Sequence, residues 1–238
     1  MLVISFSKNG GTIINTFETV WKGLDWSVLT NILMSVIPAL LCITFHELSH
    51  GFVAYKLGDN TAKDAGRLTL NPIKHIDIIG LAMMVVAGFG WAKPVPVNMN
   101  SFKKPKTGMA ITALAGPVSN VILAIVLFFV FGLVVEPLTN AGNVGTVLLE
   151  MLYKTIYLSC ALAVFNIIPI SPLDGSKVLF ALLPEDKYYK LMRYERFGMI
   201  ILLFLVITNI LTPYISTVTS GLFNGISGIA DWAHALTV

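Results

Sequence analysis

His46-Glu47-Leu48-Ser49-His50 lies at the end of a long apolar stretch, residues 28–54. A helix of about 20 apolar residues crosses a bilayer core, so the chain has to place two imidazoles and a carboxylate where water is scarce. Such groups are costly inside a membrane and mark a functional site by default. The composition fits this setting: 55% of the 238 residues are hydrophobic and 12% charged, too few polar side chains to cover a water-exposed globule. Lipid is the expected solvent for much of the surface. The formal charge of +3, from 16 basic and 13 acidic residues, is too small an excess for a nucleic-acid partner, and no aromatic-interleaved basic patch occurs.

Four further apolar stretches follow, at residues 76–90, 110–135, 144–170 and 197–211. The first is short and carries Gly80, Gly88 and Gly90, which fits a re-entrant or broken helix better than a crossing. Two prolines separated by one valine, Pro94-Val95-Pro96, bar a helix and favour an extended segment near the membrane surface. The other three stretches can span. The tail, residues 213–238, is apolar, but Gly221, Gly225 and Gly228 weaken any helix there. Gly221 and Gly225 form one GxxxG, which in a single copy is ordinary glycine usage rather than a packing motif. The fold class is thus an all-α polytopic membrane bundle with re-entrant or extended segments near the site. One domain, residues 1–238, is expected, with a catalytic core at about 28–180.

Cys42 and Cys160 lie in apolar runs and read as small buried hydrophobes rather than a disulfide. Residues 1–26 lack the basic start and cleavage site of a secretory signal. Lysines and arginines cluster between residues 56 and 106 and again between 177 and 196, while the loop at 136–144 has none. By the positive-inside rule the two basic loops are cytoplasmic. This parity holds if 76–90 enters and leaves on one face, and it puts His46, His50 and Asp174 on the same side. An additional N-terminal crossing is the alternative.

On a helix, His46 and His50 share a face and can bind one ion, with Glu47 beside it. A bound ion would lower the pKa of water to about 7, and Glu47 would take its proton and pass it to the departing amine. Catalytic zinc usually has three protein ligands. Asp174, the only carboxylate of the segment 166–175, follows two prolines at the end of an apolar span and is the best third candidate. His75 and Asp77 come second, with surface or capping roles as their simpler explanation. Asp59 and Asp64 are most simply solvated loop residues, and His234 belongs to the opposite side. Gly116-Pro117-Val118-Ser119-Asn120 is expected to break the third span: Gly116 fits close helix packing, Pro117 a kink, and Asn120 a hydrogen bond to backbone or substrate.

Phe45 through Gly51, Gly116 through Asn120 and Asn166 through Gly175 together resemble the motifs of the site-2 protease family of intramembrane zinc metalloproteases, in the same order. The resemblance covers residues 45–177 and is closest to the minimal branch, without PDZ or CBS domain. It implies that His46, His50 and Asp174 bind Zn2+, that Glu47 is general base and acid, and that Asn120 and Asn166 hold substrate or oxyanion. It further implies cleavage of peptide bonds in or beside transmembrane helices of membrane protein substrates, in a lipid setting, with the plasma membrane as the expected location. Asp174-Gly175-Ser176 departs mildly from the Asp-Gly-Gly of many relatives. A metal-binding membrane protein without proteolysis, whether transporter or silent relative, is the competing class, and Glu47 argues against it because a pure ligand site needs no such carboxylate. A glutamate third ligand is a further alternative, but Glu136, Glu150, Glu185 and Glu195 have no comparable context.

Overall fold

The structure, a computed structural model, describes residues 26–80, 82 and 91–237. Among these, the only bridge between extended segments is antiparallel, Ile76 to Ala92. The chain folds into α1 (Trp26–Lys56), a short α2 (Thr61–Asp64), α3 (Pro105–Asn140), α4 (Asn143–Ile167), α5 (Asp174–Ala181), α6 (Glu185–Arg193), α7 (Glu195–Ile207) and α8 (Thr212–His234). Without water to pair the backbone in lipid, an apolar run closes its hydrogen bonds within one helix. The part of α1 from Leu33 to Lys56, α3 and α4 are each long and apolar enough to cross a membrane. The helical bundle expected from the sequence is therefore present.

Three local expectations are corrected. The third apolar stretch is not broken at Gly116-Pro117, because α3 runs unbroken for 36 residues through both Pro117 and Pro137. A proline in a membrane helix is tolerated where side chains and neighbouring helices satisfy the backbone, and the Ser119 hydroxyl donates to the Gly116 carbonyl beside it at 2.7 Å. The stretch 197–211 does not span by itself. Its helix α7 has 13 residues, about 20 Å at helical rise, and Asn209, at φ 56°, turns the chain into α8, bent 85° from α7. The two helices pass as a crossing together, as a broken span or a re-entrant pair.

The tail is also a regular helix, despite its glycines. Phe223 of α8 packs into a cluster with Ala124, Phe128, Ile156 and Cys160, with its ring 4.8 Å from that of Phe128 and 5.2 Å from that of Tyr153. This burial outweighs a helix penalty of about 1 kcal/mol for each glycine. Among the described residues the GxxxG does not mediate packing, since a Cβ at Gly221 or Gly225 would meet nothing within 4 Å. The close approach lies on α3 instead, where a Cβ on Gly132 would fall 2.2 Å from the Ala230 carbonyl oxygen. Residues 81 and 83–90, which carry most of the expected re-entrant segment, and residues 1–25, where an additional crossing was the alternative, lie outside the described residues.

Gly132→Ala is expected to destabilise the protein by roughly 1–3 kcal/mol, because backbone must move to admit the methyl. Gly221→Ala should instead be neutral or stabilising by up to about 1 kcal/mol. Unfolding of the detergent-solubilised variants would check both, and equal effects would contradict this packing.

Candidate active site

The expected metal-binding residues converge from separate helices. His46 and His50 of α1 are nearly buried, 7% and 9% exposed, and their Nε2 atoms lie 3.0 Å apart. Asp174 Oδ2, from the first turn of α5, is 3.1 Å from each. Two glycines permit this convergence. A Cβ on Gly116 of α3 would sit 2.4 Å from His50 Nε2 and 2.5 Å from His46 Cε1, so α3 can approach the rings only where no side chain intervenes. A Cβ on Gly175 would lie 2.0 Å from the Ile167 carbonyl oxygen, so glycine lets α5 begin directly against the end of α4. Ser176, the departure from Asp-Gly-Gly, is fully buried and donates its hydroxyl to the Leu173 carbonyl at 2.6 Å.

The surroundings prepare both rings to accept a cation. His50 Nδ1 is 2.7 Å from the Thr112 carbonyl oxygen. A carbonyl only accepts, so Nδ1 carries the proton and Nε2 turns its lone pair to the centre. His46 Nδ1 is 3.4 Å from the amide of Asn120, whose Oδ1 is buried without a partner. Turning that amide over puts Oδ1 on the His46 Nδ1 proton and gives both rings the same tautomer. Asp174 Oδ2 is buried and, despite its short distances to both rings, has no hydrogen-bond partner among the described residues. Two lone pairs and an anionic oxygen facing one point repel unless a cation lies between them. The three atoms, all within 4.8 Å of one another, are a donor set suited to zinc.

Glu47 faces the same space. Its Oε2 accepts a hydrogen bond from the Val95 N–H at 2.8 Å, which ties the extended segment 92–98 across the end of α1. Glu47, His46 and Asn166 line two adjoining cavities of about 320 and 230 Å³; the first also reaches Thr112, Asp174 and Lys177, the second Trp91 and Met199. Asn120 is instead fully buried behind His46.

The rival ligands point elsewhere. His75 is buried with Nε2 donating to the Thr69 carbonyl at 2.9 Å, and Asp77 accepts from the Gly80 N–H at 2.8 Å, capping the turn that follows. Asp59, expected to be solvated, is fully buried. It accepts from the Asn98 N–H at 2.6 Å and from the Thr61 N–H and hydroxyl. Burial raises its carboxyl, but these donors more than offset that and lower it. Arg67 is also buried and donates to the carbonyls of Lys93 at 2.7 Å and Pro94 at 3.2 Å. Sequence reasoning missed both anchors. Their partners are main-chain groups, which no side-chain pattern marks.

Comparison with known proteins agrees with this geometry. Residues 34–208 match the model of peptidase family M50. The chain is 44% identical to YwhC of Bacillus subtilis over 73% of its length and 80% of that protein. It is 26% identical to Rip2 of Mycolicibacterium smegmatis over 98% of its length and 88% of that protein. Both relatives are named as zinc metalloproteases. No solved structure matches the chain. With a family match over most of its length, apolar spanning helices and a clustered donor set, the chain belongs to peptidase family M50, the site-2 protease family, and is a zinc metalloprotease of the membrane.

Proposed function

We propose that this chain is an intramembrane endopeptidase that hydrolyses peptide bonds in or next to transmembrane helices of other membrane proteins, as in regulated intramembrane proteolysis. One observation carries the reading: a buried two-histidine, one-aspartate donor set opens into the same cavity as the carboxylate of Glu47. His46, His50 and Asp174 would hold zinc. The bound ion supplies a Lewis acid that brings the pKa of a water to about 7.

With Oε2 held by Val95, Glu47 takes the proton of the attacking water on its other oxygen. The new C–O bond forms as that proton leaves the water, and Glu47 returns the proton to the amine nitrogen as the C–N bond breaks. Asn166, at the junction of the two cavities, holds the substrate carbonyl, and Asn120 orients His46 from behind. A peptide bond in an intact helix is shielded by its own turns, so the substrate has to enter the cavity unwound. The extended segment 92–98 offers main-chain groups for such a strand. Basic loops flanking the ligand-bearing ends of α1 and α5 support a cytoplasmic-facing site, and the plasma membrane is the proposed location. All of residues 1–238 form one catalytic domain in this reading.

In proteoliposomes with a membrane-embedded helical reporter, Glu47→Gln should retain zinc and lose cleavage by about 10²–10⁴-fold. Undiminished cleavage would overturn the mechanism. Asp174→Ala should lose both zinc and cleavage. Gly116→Ala should weaken zinc retention although it removes no ligand, because its methyl occupies the position of the rings; metal analysis of the purified variant checks this. Membrane proteomics comparing the active and Glu47→Gln forms would identify natural substrates by their accumulation.

A further inference from the structure

Arg67 is a buried cation whose hydrogen bonds, among the described residues, go to two successive main-chain carbonyls, those of Lys93 and Pro94. Burying a guanidinium is costly. Its rigid fork of donors suits two acceptors held in fixed relation, which a lysine cannot match.

The Pro94 carbonyl and the Val95 N–H belong to one peptide unit, and the trans peptide plane is rigid. Its oxygen faces Arg67 and its N–H, on the opposite edge, faces Glu47 Oε2 at 2.8 Å. Proline at 94 and 96 removes the neighbouring donors, and Pro96 biases Val95 toward extended backbone. The Lys93 N–H donates to the His75 carbonyl at 3.0 Å and the Asn98 N–H to Asp59, which fixes the segment further along on both sides. A guanidinium on the oxygen also polarises the peptide and strengthens its N–H as a donor.

We propose that Arg67 is a positioning residue for the reaction, acting through this single peptide plane to hold the Glu47 carboxylate in its working orientation. The proposal rests on Glu47 acting as proposed above. Arg67 bonds none of the three proposed zinc ligands, so its loss should lower kcat and leave zinc content unchanged.

The test is a double-mutant cycle in the full-length protein, with a readout independent of activity. Arg67→Met should lower kcat by about 10–100-fold with zinc retained, and Arg67→Lys should recover part of it. Val95→Pro removes the same N–H directly and should cause a similar loss. Because both act on one hydrogen bond, adding Arg67→Met to Val95→Pro should cost little more. If Arg67→Met does not fold, the cycle is run with Arg67→Lys. Hydrogen exchange should show the Val95 amide protected in the parent protein and exposed in the Arg67 variant.

Multiplying losses, a full kcat in Arg67→Met, zinc loss in a folded variant or an unchanged Val95 amide would overturn the proposal. A parent protein without zinc-dependent cleavage would overturn the functional reading instead, and amide exchange would still decide whether Arg67 holds the plane.

Discussion

The architecture depends on the approach of α3 to the two histidines of α1 at Gly116. No other residue leaves room there, because a Cβ would fall inside the contact distance of both imidazoles. The same stretch of α3 supplies the partners that orient the rings: Thr112 lies one turn before Gly116 and bonds His50, while Asn120 lies one turn after it and meets His46. Gly116, the Thr112 main-chain carbonyl and the Asn120 side chain thus form a single face that receives the histidines. Residues four apart share a helix face, so an unbroken α3 is a condition for this arrangement. A break at Pro117 would have separated Asn120 from Thr112, and the continuity of the helix is therefore tied to the site it supports.

Legibility from sequence divides along the same physical lines. The histidine pair was readable because side chains one turn apart carry their own geometry, and Asp174 because a lone carboxylate in an unwound segment has few other uses in an apolar chain. Gly116 could be linked to close packing, but its partner could not be named until the helices were placed. Asp59 and Arg67 were not readable. Their partners are main-chain groups of Asn98, Lys93 and Pro94, and every residue offers such groups, so no side-chain pattern marks which are used. The helix α8 was missed for another reason: glycine propensity acts locally, whereas Phe223 packs against residues from α3 and α4 that lie far away in the chain.

The segment 92–98 shows how an extended backbone can be kept in order beside a membrane-buried site. It is tied by a carboxylate at Asn98, a guanidinium at Lys93 and Pro94, and a neighbouring main chain at Ile76 and His75. Exposed main-chain donors in such a place would be costly, and proline at 94 and 96 removes two of them. The one donor left between the prolines is directed to Glu47.

Charge balance gives a reason for this indirect connection. A dication would offset the carboxylates of Asp174 and Glu47, with Lys177 on the wall of the same cavity, and the two anchors of the extended segment, Asp59 and Arg67, are opposite in sign. Charges that face partners of opposite sign are easier to keep at low dielectric than an uncompensated ion. A cation placed directly on a general base would orient it but would also favour its charged form and reduce its readiness to take a proton. A neutral N–H orients the base with a smaller effect of that kind. In the proposed mechanism, placing the peptide plane of Pro94 and Val95 between Arg67 and Glu47 would separate holding the base from quenching it.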